Sequence, residues 1–264
     1  MPPARRPKLG QHFLASLGYR RRIVQALPLR SEDLVVEIGP GRGAMTELLA
    51  ERVRRVVAIE LDAKLASELE EKLAGNPRIV VEQADILTTD LADICRASNA
   101  GQCFVFGNLP YYITSPIIHR LMDSASSIRG MALLVQREVG ERLTARPGTR
   151  DYGYLSVLAQ LHTEPHIVLQ VPPGAFSPPP RVHSTFVGFT MRLQFPAESR
   201  TERARLLDLV KLCFAQKRKN LLNNLAGRFG RERVAEALAR LRLPTTARAE
   251  ELGVQQFVDL LKLM

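Results

Sequence analysis

Asn108-Leu109-Pro110-Tyr111 follows directly on the apolar run Phe104-Val105-Phe106, which reads as a buried strand. At a strand end this tetrad offers two hydrogen-bond acceptors, the Asn108 side-chain oxygen and the Leu109 carbonyl, beside the flat ring of Tyr111. An exocyclic amine on a nucleobase attacks weakly because its lone pair is delocalised into the ring. Acceptors on both of its N–H bonds draw the nitrogen toward a tetrahedral shape and release that lone pair. Pro110 has no N–H and fixes the turn. The Tyr111 ring gives an extruded base a surface to stack on, worth about 1–3 kcal/mol. Such chemistry needs a good electrophile but no strong base, since alignment and electrostatics supply most of the rate.

A second constellation lies upstream, Val35-Val36-Glu37-Ile38-Gly39-Pro40-Gly41-Arg42-Gly43-Ala44. It is a strand running into a turn whose glycines, Gly39 and Gly41 first, let a ligand approach the backbone at the head of a helix. The turn satisfies the dinucleotide fingerprint G-x-G-x-x-[G/A]. Glu60 ends the next strand, 21 residues after Gly39, where a carboxylate can accept from two ribose hydroxyls. These features fit NAD and S-adenosylmethionine (SAM) equally. Three observations favour SAM. Glu37 puts an acid near the turn, which suits a cationic ligand and repels a pyrophosphate, although a buried acid bonded to backbone donors would look the same. Asp85 follows the third strand, where it or Ile86 can meet an adenine edge, although Asp85 also fits a helix N-cap. The tetrad has no role in hydride transfer. The pairing implied is SAM beside a flipped base, with no metal.

The elements that must position these residues alternate. Leu34–Ile38, Arg55–Glu60, Ile79–Gln83, 103–107 and 131–136 read as strands, and 44–52, 63–74 and 115–122 as helices. Such alternation implies βαβ units around a parallel sheet, and its continuous apolar strands fit burial on both faces. Next come a helix at 154–161 and late strands at 166–171 and 185–191. Between those strands, the proline-rich 172–180 must be a stiff loop. Residues 196–200 read as a linker, and 206–215, 231–241 and Val254–Leu263 as helices. The fold class expected is α/β, a Rossmann-like SAM-dependent methyltransferase sheet with helices on both faces, followed by a small all-α C-terminal domain. The boundaries are 1–199 for the catalytic domain and 200–264 for the helical one.

The chain has 264 residues, 45% of them hydrophobic, and a net charge of +10, enough for one large domain or one with a small companion. The charge is unevenly placed. Residues 1–30 carry seven basic and no acidic side chains, and residues 201–264 carry thirteen basic and seven acidic, leaving −3 for 31–200. Basic ends around a near-neutral body suit a polyanion gripped away from the chemistry. No apolar run is long enough for a membrane helix. The start lacks a hydrophobic signal core. Cys95, Cys103 and Cys213 show no ligand spacing and fit reduced thiols in the cytoplasm.

With these residues in hand, the chain resembles the KsgA/RsmA family of small-subunit (16S) rRNA adenine N6-dimethyltransferases. Five segments carry the resemblance, in family order: Lys8-Leu9-Gly10-Gln11-His12-Phe13-Leu14, Glu37-Ile38-Gly39-Pro40-Gly41, the tetrad, Phe176-Ser177-Pro178-Pro179-Pro180-Arg181-Val182-His183-Ser184, and Cys213-Phe214-Ala215-Gln216-Lys217-Arg218-Lys219-Asn220-Leu221. The resemblance implies SAM contacts from His12, Leu14, Gly39, Glu60, Asp85 and Asn108. It implies Tyr111 and Phe176 sandwiching the target adenine, and Lys217, Arg218 and Lys219 on phosphates. The chain departs from many relatives at His12, Arg181 and His183, where Asn, Lys and Asp are common. The implied substrate is a pair of adjacent adenines in the 3′-terminal hairpin loop of small-subunit rRNA, within a pre-assembled subunit, where loop bases splay out cheaply. A role in subunit biogenesis, a monomeric state and no membrane partner go with it. The alternatives are a large-subunit rRNA adenine N6-methyltransferase of the macrolide-resistance type, a binding-only factor on the same fold, and an NAD-binding oxidoreductase.

Overall fold

The run Leu34–Ile38 forms a strand whose five residues are all buried, which is why its sequence shows no polar alternation. It belongs to a computed structural model that describes residues 12–192, 200–216 and 218–264. Residues 8–11 of the first motif and Lys217 lie outside the described residues.

In chain order the elements begin with β1 (Phe13–Leu14), α1 (Leu17–Ala26), β2 (Leu34–Ile38), α2 (Thr46–Ala50), β3 (Arg55–Glu60), α3 (Ala63–Leu73), β4 (Ile79–Gln83), α4 (Leu91–Ala97), β5 (Cys103–Asn108) and α5 (Thr114–Asp123). They continue with β6 (Ile128–Gln136), α6 (Arg137–Thr144), α7 (Tyr154–Gln160), β7 (Thr163–Val171), β8 (Phe176–Ser177), β9 (Ser184–Met191), α8 (Arg200–Cys213), α9 (Leu221–Phe229), α10 (Arg231–Arg240) and α11 (Val254–Leu263). Helix starts are written locally. Ser16 accepts from the Tyr19 N–H, Asp62 from Lys64 and Leu65, Asp90 from Ala92 and Asn220 from Asn223, each satisfying an orphan donor of a first turn. The helix read over 44–52 shortens to α2, because the glycine turn runs on to Met45. Strand β6 begins at Ile128, earlier than read, and α8 at Arg200. The helices α1, α4, α6 and α9 and the short strands β1 and β8 were not read from the sequence.

The seven-stranded sheet has the order β4-β3-β2-β5-β6-β9-β7. Strands β4, β3, β2, β5 and β6 are mutually parallel, and β9 runs antiparallel to β6. The sheet is therefore the expected Rossmann-like one, with an antiparallel strand added. Strand order reverses between β2 and β5, and the carboxyl ends at such a switch point open a crevice. Alternate residues share a sheet face. Val35, Val56, Phe104, Phe106 and Leu134 pack with Ile23 and Val24 of α1 and Leu49 of α2, and Ala58 packs with Leu69 and Leu73 of α3. The opposite face, including Val36, Val57, Val105 and Leu133, is equally buried. Each such side chain contributes about 1.5–3 kcal/mol when fully buried. A charge at Ile23, which is fully buried, would carry the cost of an unpaired buried ion and weaken the packing of α1.

The chain divides into two compact units, residues 1–140 with 166–191, and residues 141–165 with 192–264. The single cut expected near 200 places 141–165 with the sheet. Packing groups that segment with the helices instead: Tyr152, Val157 and Leu161 share a core with Leu206, Val210, Leu225, Leu238 and Phe257. Within this helical unit the Gly148 N–H donates to the Glu250 carbonyl at 2.7 Å, and the Asn224 amide to the Cys213 carbonyl at 2.7 Å.

Candidate active site

The turn after β2 holds three glycines in the left-handed region, with φ of +65° at Gly39, +55° at Gly41 and +77° at Gly43. At Gly41 a Cβ would also stand 2.6 Å from Cε1 of Phe13. Glycine is required there twice over, by backbone conformation and by the close approach of β1. The Gly41 N–H donates to Glu60 Oε2 at 3.1 Å, and the Asp62 N–H to Glu60 Oε1 at 3.1 Å. Glu60 thus ties the turn to the end of β3. A carboxylate has about four acceptor positions, so each oxygen keeps one for a ligand hydroxyl.

Glu37 does not reach this crevice. Two residues along from Val35, it shares the sheet face that packs on α1 and α2, is 2% exposed, and lies near Thr46. Burial raises its carboxyl to about 7. The Thr46 hydroxyl opposes the rise, although Thr46 Oγ1 and Glu37 Oε2 form no hydrogen bond of good geometry. The nearby Glu60 carboxylate adds to it. Of the two readings of Glu37, the buried acid is the one that its 2% exposure fits, and Glu37 is not among the residues that line the cleft.

Across the switch point, β5 delivers the tetrad. The Asn108 Nδ2 donates to the His12 main-chain carbonyl at 3.1 Å. A carbonyl only accepts, so the amide orientation is determined, and among the described residues Oδ1 remains an unengaged acceptor. The Leu109 N–H is spent on the Leu134 carbonyl at 3.1 Å. Among the described residues no backbone N–H donates to the Leu109 carbonyl. Pro110 closes the turn, its carbonyl taking the Ile113 N–H at 3.2 Å and the Thr114 hydroxyl at 3.1 Å. Tyr111 is half-buried. Its hydroxyl bonds Ser184 Oγ at 3.0 Å, and burial raises its pKa while that bond partly offsets the rise.

His12 joins three segments distant in sequence. Its carbonyl orients Asn108. Its Nδ1 lies 2.8 Å from the Pro178 carbonyl, so the proton sits on Nδ1 and donates. Its ring centroid is 5.6 Å from that of Tyr111, tilted by 31°. The contact is built by β1, which pairs antiparallel with β8 so that Phe13 faces Ser177 and Leu14 faces Phe176.

Together these parts line a cleft of about 870 Å³, open solvent included, which brings His12, Gly39, Gly41, Glu60, Asp85, Ile86, Asn108, Leu109 and Tyr111 to one place. Asp85 Oδ1 takes the Leu87 N–H at 2.9 Å, so one oxygen holds the turn, and among the described residues the other makes no hydrogen bond. Leu14 and Phe176 are each 5% exposed in the sheet core and do not line the cleft. Arg218 and Lys219 are exposed ahead of α9. Sequence reading gave no role to Ser184, although it ends the fourth quoted motif, nor to Tyr112 and Leu61, which also line the cleft. Among the described residues no three His, Cys, Asp or Glu side chains form a metal cluster, the three cysteines are buried and free, and no helix is long and apolar enough to cross a membrane.

A sequence model of the family "Ribosomal RNA adenine dimethylase" matches residues 4–264. Proteins called ribosomal RNA small subunit methyltransferase A are similar along nearly all of the chain. The one from Acidobacterium capsulatum is 44% identical over 256 residues, covering 97% of this chain and 89% of the relative. The one from Koribacter versatilis is 38% identical over 268 residues, covering 98% and 94%. Among solved structures, the 23S rRNA methyltransferase ErmE matches with a TM-score of 0.71 at 30% identity, covering 95% of this chain and 98% of its own. A dimethyladenosine transferase from Plasmodium falciparum shares the fold with a TM-score of 0.76 at 24% identity, covering 94% and 96%.

Proposed function

The chain belongs to the ribosomal RNA adenine dimethylase family, and from that premise we propose that it transfers methyl groups from SAM to N6 of two adjacent adenines in the 3′-terminal hairpin loop of small-subunit rRNA, dimethylating each. The observation that carries the reading is the Asn108–His12 bond, which leaves Asn108 Oδ1 as an acceptor beside a Leu109 carbonyl that, among the described residues, takes no backbone N–H.

The cleft suits SAM by its donor set and its shape. Gly39 and Gly41 present backbone without side chains. Glu60 keeps acceptor capacity for ribose hydroxyls, and Asp85 with Ile86 offers a polar and an apolar contact for an adenine. His12 adds a ring edge at the cleft wall, held by the bond of its Nδ1 to the Pro178 carbonyl. When bound, SAM supplies an electrophilic methyl on a cationic sulfur. The chain's residues do the rest. Asn108 Oδ1 and the Leu109 carbonyl accept the two N6–H bonds and turn the lone pair outward. Tyr111 stacks on the extruded base, its ring held by Ser184 and His12. The proton leaves to water, so no side chain of high basicity is needed. Phe176 joins the sandwich only after its ring turns out of the core.

The helical part, assigned as 200–264 from sequence and packed with 141–165, acts in this reading as the rRNA grip, with Lys217, Arg218 and Lys219 on phosphates. The sheet-bearing part, 1–199 by sequence, is the catalytic body. The working partner is rRNA inside a pre-assembled small subunit in the cytoplasm, engaged by a monomer, with a second role at a late step of subunit biogenesis.

One other reading has a specific observation behind it, the likeness to a 23S rRNA methyltransferase at 30% identity. Transfer of labelled methyl from SAM to under-methylated small and large subunits, with mapping of the product, separates the two. Label at paired adenines of the small subunit supports the proposal. Label confined to the large subunit overturns it.

A further inference from the structure

The cleft is lined by four rings, His12, Phe13, Tyr111 and Tyr112, and three of them are already committed. The His12 ring is tied to the Pro178 carbonyl and lies against Tyr111. Phe13 packs on the Gly41 turn, with the Arg42 guanidinium 5.4 Å from its centroid. Tyr111 is anchored through its hydroxyl to Ser184 and has His12 beside it, which leaves it surface for a single base. Tyr112 differs from all three. It is 59% exposed, and among the described residues it makes no hydrogen bond or ring contact. Its backbone is nevertheless fixed, because the Pro110 carbonyl holds both Ile113 and Thr114 just after it. A lone exposed tyrosine is ordinary on a protein surface. A rigidly mounted one at the mouth of a cleft, next in sequence to a base-stacking ring, has the form of an aromatic platform.

We infer that Tyr112 is a second stacking site, which takes the purine adjacent to the base held on Tyr111. The inference rests on the function proposed above and adds to it. A substrate with two neighbouring adenines, each modified in turn, always has one base in the pocket and one outside it. Leaving the outer base in water would waste part of the unstacking cost of opening the loop. Stacking it on Tyr112 recovers that cost and sets which pairs of bases fit. Leu61, 50% exposed at the same cleft, extends the apolar rim.

The test uses full-length enzyme and small subunits reconstituted with a synthetic rRNA 3′ end, in which the neighbour of the target adenine is either adenosine or an abasic site. Tyr112→Ala is expected to raise KM for the intact substrate roughly ten-fold or more, with kcat changed less and SAM affinity by calorimetry as in the wild type. Tyr112→Phe, which keeps the ring, restores KM. On the abasic substrate the wild type and Tyr112→Ala have the same KM. An unchanged KM for Tyr112→Ala on the intact substrate overturns the inference, and so does an equal loss on both substrates. If the wild type places no methyl on either adenine, the functional reading falls first and this inference with it.

Discussion

The Asn108 side-chain amide is oriented by the main-chain carbonyl of His12, 3.1 Å away and 96 residues earlier in the chain. The acceptor that the proposed function gives to a nucleobase amine is therefore set from outside the tetrad, by the residue just before the strand that pairs with the proline-rich loop. Asn108→Ala removes that acceptor while leaving the backbone of β5 intact. We expect kcat to fall by about a hundred-fold or more, as for loss of one preorganised polar group in a reaction site, with SAM binding still measurable by calorimetry. Asn108→Asp keeps an oxygen but loses the donor to His12 and is expected to be nearly as impaired. A single-turnover rate close to wild type in Asn108→Ala would remove Asn108 from the chemistry, and one close to wild type in Asn108→Asp would show that the bond to His12 is not needed to hold the acceptor.

Gly41→Ala meets two obstacles, φ of +55° and a Cβ that would lie 2.6 Å from the Phe13 ring. The left-handed backbone alone costs about 1–2 kcal/mol in a residue with a Cβ, and the collision adds to it. We expect a lower denaturation midpoint together with weaker SAM binding. Gly75→Ala is the control, since a Cβ there meets nothing within 4 Å. Equal unfolding midpoints for the two variants would contradict this account of the turn.

Glu37 makes stability depend on pH in a definite direction. Its folded-state carboxyl is raised from 4.5 to about 7, so the folded state binds its proton more tightly than the unfolded chain does. The stabilisation is complete below about pH 4.5 and disappears as pH climbs through about 7, amounting to about 3 kcal/mol across that window by linkage. Glu37→Gln stays neutral and lacks this slope. Guanidinium unfolding of both proteins from pH 5 to 8 is expected to show the wild type losing stability relative to Glu37→Gln as pH rises. Parallel profiles would mean that Glu37 is ionised throughout.

What could be read from sequence was local. The glycine turn and the tetrad are contiguous and carry their own backbone logic, and the strands around them are apolar runs of the right length. What could not be read were partners far along the chain: His12 with Pro178 lies across 166 residues and Tyr111 with Ser184 across 73. Glu37 is near Gly39 in sequence, but its burial and its absence from the cleft wall depend on how β2 packs against α1 and α2, which the motif alone does not carry. The stacking role given to Phe176 came from resemblance, and its burial among Leu14 and Ala175 follows from the β1–β8 pairing, which two-residue strands do not announce. The segment 141–165 joins the helical core through Tyr152, Val157 and Leu161, apolar residues that would suit either unit.

Arg218 and Lys219 provide the test of the proposed rRNA grip. Both are exposed in the loop that ends at Asn220, whose side chain accepts the Asn223 N–H at 3.0 Å and starts α9. The cap holds the loop, so truncating its charged side chains leaves the helix start in place. Lys or Arg on a phosphate releases condensed counterions, and each contact steepens the fall of log K with log salt by about 0.7–0.9. The double variant Arg218→Ala, Lys219→Ala is therefore expected to bind small subunits more weakly at low salt and to show a salt slope shallower by about one to two. Filter binding across a salt series, with SAM affinity measured in parallel, checks both. A slope equal to the wild type would mean that these two charges face solvent in the complex, and that the grip is made by other basic residues at the chain's ends.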